Sequence, residues 1–256
     1  MTESDDRIDE LDKYYNPVKN LDYISNTLFY IGAILSIAIP LLTEDQEFLS
    51  SLVPALFLVV VVLHAFSVSA NSYYFIPFAE RQRRKQLLSN ALSIPLTDEE
   101  TNKYYNNKLD PNIFKLGANV MENAFFGKHI CERMLVVERV KIFGYLAVWL
   151  FVTIYRGSDL GLVLAVSQIL FASEILFKWV KLEILRVRNE RVYEALYSLY
   201  LHNSGNTLVE AGILDSFAEY EAAKASAAVK LSTKVFNNMN RELTQRWERV
   251  RSKLNV

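Results

Sequence analysis

Four apolar runs constrain this chain more than any other feature. They lie at roughly Ile24–Leu42, Leu52–Ala70, Ile142–Tyr155 and Leu160–Phe177. A helix needs about 20 apolar residues to cross the hydrocarbon core of a bilayer. The first two runs meet that length. The third is short, but only Arg156-Gly157-Ser158-Asp159 separates it from the fourth. The two read together as a second helical hairpin, with a re-entrant pair as the other reading. The hydrophobic fraction, 51%, is close to ordinary. The bunching of apolar residues, rather than their total, carries the membrane reading.

Lysine and arginine give the direction. The loop between runs one and two has none, and the link between runs three and four has only Arg156. Eleven lie between Arg81 and Lys141, thirteen from Lys178 onward and three in the N-terminal tail, so 27 of 28 fall on one side. Basic residues stay on the cytoplasmic side of a membrane, which puts both termini and the long middle segment inside. Trp179 and Tyr73-Tyr74-Phe75 fit the inner aromatic belt, and Tyr155 the outer one. The acidic N-terminus has no apolar stretch behind a basic region and does not read as a secretory signal.

The expectation is an all-α membrane protein. Four transmembrane helices form two hairpins with long helical cytoplasmic extensions. Residues 1–23 form a cytoplasmic tail, 24–75 hairpin 1, 76–141 a helical cytoplasmic segment, 142–180 hairpin 2 and 181–256 a helical cytoplasmic region. Run two continues inward through Glu80–Leu88 until Ile94-Pro95 breaks it. Thr97 and Glu100 match a capping box. Asp110-Pro111 offers an N-cap with proline at the first helical position, for a helix running to about Tyr155. A fourth helix runs from Leu160 to about His202. A last one is expected unbroken from Thr207 to Lys253, with Leu231, Val235, Met239, Leu243, Trp247 and Val250 as its packing face.

Enzymatic chemistry is not expected. There is no glycine-rich phosphate loop, no HExxH and no GxSxG. Cys131 is the only cysteine, and the three histidines are far apart, so neither a catalytic nor a metal site is indicated. No cofactor is called for. Polar residues in the apolar runs are the pore-lining candidates. His64, Ser67 and Asn71 fall at i, i+3 and i+7 on one face of run two. Ser167, Gln168 and Glu174 mark a face of run four. Two readings stand for each stripe: hydrogen bonding between helices, or the wall of a water-filled path. Glu174 is about 21 Å along its helix from Leu160, in the inner third of the membrane. It is either an ion pair with Lys178 at i+4 or one member of a carboxylate ring at the mouth of an oligomeric pore. Arg81, Arg83, Arg84 and Lys85 form a basic run whose bland role is to flank the membrane. With Tyr104, Tyr105 and Lys108 they are the candidates for a phosphate or base contact.

The two hairpins, the helical extensions and the linker with YYNNKLDP and NVMENAFFGKHICERM resemble the SLATT and SMODS-associated four-transmembrane effector families of bacteria. The resemblance of sequence covers about Tyr104 to Met134. It implies a homo-oligomeric, pore-forming effector (tetramer favoured) in the bacterial inner membrane. The channel would be gated by a nucleotide or oligonucleotide from a partner nucleotidyltransferase in anti-phage defence. Hailong-type channels are one version. The competing expectation is a membrane scaffold that binds partners through its cytoplasmic helices.

Overall fold

The apolar runs fold as helices, and prolines and cap residues set where those helices change or stop. The computed structural model describes residues 9–39, 42, 47–99, 101, 105, 107, 109–156, 162–202 and 207–256; at 145, 148, 149, 152–156, 162–175 and 207 it describes the backbone alone. A short 3-10 segment, Glu10–Tyr15, leads into α1 (Asn16–Ala38). α2 (Glu47–Ala70) passes through a π-helical turn, Asn71–Phe75, into α3 (Ile76–Leu92). α4 (Ile113–Arg156), α5 (Leu162–Leu201), α6 (Thr207–Ala227) and α7 (Thr233–Leu254) complete the order. Among the described residues there is no strand, only one isolated bridge between Asp9 and Thr101. The chain is all-α.

Two helical stretches, Glu10–Ala38 and Glu47–Leu92, are long and apolar enough to cross a membrane. The π turn in the second has a local cause. Pro77 has no N–H to donate, and its ring crowds the carbonyl four residues earlier. The turn before it widens to five residues per hydrogen-bonded loop. α3 then runs to Leu92 and stops at Ser93, whose φ is 56°. The break expected at Ile94-Pro95 thus falls where proline forbids continuation.

Three expectations are corrected. The helix expected to start at Asp110-Pro111 begins at Ile113, and Asn112 Oδ1 accepts the Lys115 N–H at 2.9 Å. The match at Thr97 caps no helix. Its hydroxyl accepts the Glu99 N–H at 3.3 Å and itself donates to the Glu99 carboxylate. That carboxylate is also held by the Tyr14 hydroxyl and by Lys13 Nζ at 3.2 Å. Hydrogen bonds from Thr97 and then Tyr14 lower its pKa to about 2. The segment is therefore tied to the N-terminal 3-10 turn. Finally, the helix expected across 207–253 breaks after Ala227: Ala228 has φ 43°, and Ser232 caps α7 by accepting the Val235 N–H. The Ser232 N–H points at Met134 Sδ on α4.

The chain divides into two compact units. The first comprises Met1–Tyr15, Ile76–Leu135 and Lys181–Val256. Its core gathers α3 to α7 around Leu87, Met121, Phe125, Leu196, Ile213 and Trp247. The Phe125 and Trp247 rings lie 5.8 Å apart. Gly117 lets α4 approach closely here, since a Cβ would fall 2.5 Å from the Tyr200 hydroxyl and 3.0 Å from Ile213. The packing face expected on the last helix is real in α7: Leu243 and Trp247 are fully buried, and Met239 and Val250 pack on the core. The second unit, Asn16–Phe75 with Val136–Val180, holds α1, α2 and the apolar ends of α4 and α5. Large apolar side chains such as Phe66, Tyr73, Phe143 and Phe151 are exposed across it.

Candidate functional site

The polar stripe of α2 lies on one face, and that face is covered by α1. His64 Nδ1 donates to the Ser25 carbonyl at 2.9 Å. Asn71 Nδ2 donates to Asp22 Oδ1 at 2.7 Å and approaches the Val18 carbonyl at 3.4 Å. Ser67 turns back on its own helix and donates to the Leu63 carbonyl at 2.8 Å. All three are buried. Of the two readings of this stripe, His64 and Asn71 show the hydrogen bonding between helices. An unbonded polar group in an apolar layer is costly, and the neighbouring helix supplies the nearest partners.

Glu174, Ser167 and Gln168 lie in α5, and their side chains fall outside the described residues. Lys178 has a partner on another helix. Its Nζ lies 3.3 Å from Glu138 Oε1 on α4, and Lys141 Nζ reaches the same oxygen at 3.1 Å. Nothing in the sequence separated Glu138 from the other acidic residues of α4, because the pairing spans 40 residues between two helices.

The basic run on α3 is largely spoken for. The Arg83 guanidinium makes a bidentate pair with Asp9, each contact 3.0 Å, and lies over the Tyr15 ring. Arg84 lies 3.7 Å from Glu221. Asp9 fills the Arg83 fork that a phosphate would use, whereas Arg84 makes a single long contact and stays partly exposed. Arg81 is exposed and Lys85 half-buried, and neither has an ion pair among the described residues. Tyr105 is engaged within the helical core. Its hydroxyl accepts from Asn123 Nδ2 at 3.1 Å, and its ring packs on the core. Tyr104 and Lys108 fall outside the described residues.

Beside this run lies a charge cluster that sequence reasoning missed. Glu80 of α3 accepts from the Tyr15 hydroxyl at 2.9 Å and pairs with Lys224 of α6 at 2.5 Å. Lys224 also reaches Glu221 at 3.4 Å and lies over the Tyr220 ring. Burial pulls the Lys224 pKa down, but Glu80 and then Tyr220 and Glu221 outweigh it and leave it well above the ordinary value. Burial raises the Glu80 pKa, and Lys224 more than offsets that, leaving it below the carboxylate range. Burial, then Glu80, pushes the Tyr15 hydroxyl well up. Glu80, Lys224 and Tyr15 therefore keep fixed charge states near neutral pH. The only hint in the sequence is one lysine in the alanine-rich stretch AEYEAAKASAA.

Among the described residues no group of acidic, histidine or cysteine side chains is arranged to hold a metal. Cys131 is buried, and burial followed by Glu132 raises its pKa to about 12. No family profile, no curated protein and no solved structure matches the chain.

Proposed function

We propose that this chain is a multi-pass protein of a bacterial inner membrane, with two transmembrane hairpins, that assembles as a homo-oligomeric pore. A cytosolic nucleotide or oligonucleotide gates it, and the pore disrupts the membrane in anti-phage defence. One observation carries the membrane part. In each candidate span only 17% of the most apolar stretch is buried. A core helix of a water-soluble protein hides most of that surface, so lipid or further copies of the chain must cover it here. The pore and its ligand class rest on the resemblance and on the polar face of α5.

The seam between α1 and α2 is sealed by His64 and Asn71, so the wall of a lumen falls to hairpin 2. There Ser167, Gln168 and Glu174 share α5. In a ring of subunits one Glu174 becomes several, and a carboxylate ring favours cations. α4 and α5 each run unbroken from residues of one unit to residues of the other. A continuous helix can carry a rearrangement as a rigid element. On α3, Arg81 and Lys85, without an ion pair among the described residues, are the cations offered to an anionic ligand.

Planar-bilayer recording tests the reading. The purified protein should conduct, and candidate nucleotides should change that conductance. Silence in both conditions refutes the pore. Glu174→Gln should lower cation selectivity, and unchanged selectivity removes Glu174 from the lumen. The scaffold alternative loses its main surface, because the apolar face of α7 is consumed inside the protomer.

A further inference from the structure

Glu138 is 6% exposed, one turn before the third apolar run begins at Ile142. Its neighbours on α4 face outward: Val137, Val140 and Phe143 are half exposed or more. On α5, Leu176, Phe177 and Val180 are exposed as well. A buried carboxylate thus sits beside an apolar surface, and Lys141 and Lys178 meet on its single oxygen Oε1 at 3.1 and 3.3 Å. Among the described residues two ammonium groups meet one carboxylate, an excess of one positive charge. Both lysines keep a substantial open side, 35% and 43% exposed, and neither has a second anion among the described residues. Among the described residues the two ammonium groups outnumber their anionic partners, and the exposed apolar side chains of α4 and α5 flank them.

We propose that Lys141 and Lys178, oriented by Glu138, form the headgroup site of one anionic phospholipid whose acyl chains cover the exposed apolar side chains of α4 and α5. A phosphodiester supplies the missing negative charge and accepts from both ammonium groups. Free phosphate supplies the charge but leaves the apolar surface bare. A zwitterionic lipid brings its own cation, which the excess positive charge repels. Glu138 is a positioning residue: it draws two flexible lysines to one point, so less of their freedom is lost on binding. The site rests on the membrane reading and is independent of the pore.

The test is native mass spectrometry of the full chain in detergent, titrated with phosphatidylglycerol, phosphatidylcholine and inorganic phosphate. The wild type should hold phosphatidylglycerol in preference to both others. A lysine near an anionic lipid surface contributes about 1 kcal/mol. Lys141→Gln with Lys178→Gln should therefore weaken phosphatidylglycerol binding about 30-fold, ~2 kcal/mol at ~1.4 kcal/mol per tenfold. Lys178→Gln alone, which keeps the Glu138–Lys141 pair, should weaken it about 5-fold. The charge-matched pair Lys115→Gln with Lys128→Gln should leave it unchanged. Equal binding of the two lipids by the wild type overturns the proposal, and that comparison needs no variant. So does an equal loss in the charge-matched control, or phosphate binding as tightly as lipid. Failure of the wild type to float with neutral phosphatidylcholine vesicles would instead overturn the membrane reading.

Discussion

Lys224→Met removes the paired cation from Glu80 and leaves a largely buried carboxylate with the Tyr15 hydroxyl and the more distant Arg83 charge. In the wild type the two charges are 2.5 Å apart, with side chains 16% and 23% exposed. Removing one partner of a buried ion pair costs about 3–5 kcal/mol, because the other charge stays desolvated and uncompensated. Partial exposure and the remaining bond from Tyr15 place this variant at the lower end, about 3 kcal/mol. For a unit of this size 1 kcal/mol moves the unfolding midpoint by about 2–4 °C, so the shift should be about 6–12 °C. The assay is thermal unfolding in detergent, followed by tryptophan fluorescence, with Trp247 buried in the same unit as the reporter. Glu80→Gln in the Lys224→Met background should recover most of the loss, since no charge is then stranded. The pH dependence has a definite sign. Glu80 has a lowered pKa, so its stabilisation is present above the unfolded carboxylate value and fades as pH falls through the folded one. Lys224 has a raised pKa, so its stabilisation is complete below the unfolded lysine value and fades as pH rises through the folded one. The wild type should be flat between these limits. A shift under about 2 °C for Lys224→Met, or a double variant as unstable as the single, refutes the reasoning.

Two further outcomes are expected. Gly117→Ala puts a methyl group 2.5 Å from the Tyr200 hydroxyl, which donates to the Phe114 carbonyl, and should cost about 1–3 kcal/mol by overpacking; Tyr200→Phe in that background should recover part of it, as the same melting assay would report. Cys131, buried with its pKa raised to about 12, should resist iodoacetamide at pH 8 in the folded protein and react on unfolding, as intact-mass measurement would show.

Much of the fold is local and was legible for that reason. Apolar run length marks helices that can cross a bilayer, and Pro77 and Ile94-Pro95 place the changes in the second one. Periodicity put His64, Ser67 and Asn71 on one face, and put Leu243 and Trp247 on the buried face of α7. Charge partners were not legible. Arg83 lies on the same helix as Arg81, yet one is clamped by a carboxylate 74 residues away and the other is open. Lys178 reaches Glu138 on α4, 40 residues earlier in the chain.

The sequence by itself determined most of the helices and their polar and apolar faces. These follow from backbone hydrogen bonding and from the transfer of apolar surface out of water, which act along a few turns of chain. Only the tertiary structure decided which of those faces is consumed and which charge meets which. α1 covers the polar stripe of α2, Asp9 and Glu221 pair with Arg83 and Arg84 of α3, and Glu138 gathers two lysines beside an apolar surface. Such pairings depend on helices separated by tens of residues arriving side by side, and a charged group takes whichever partner the packing brings within about 3 Å.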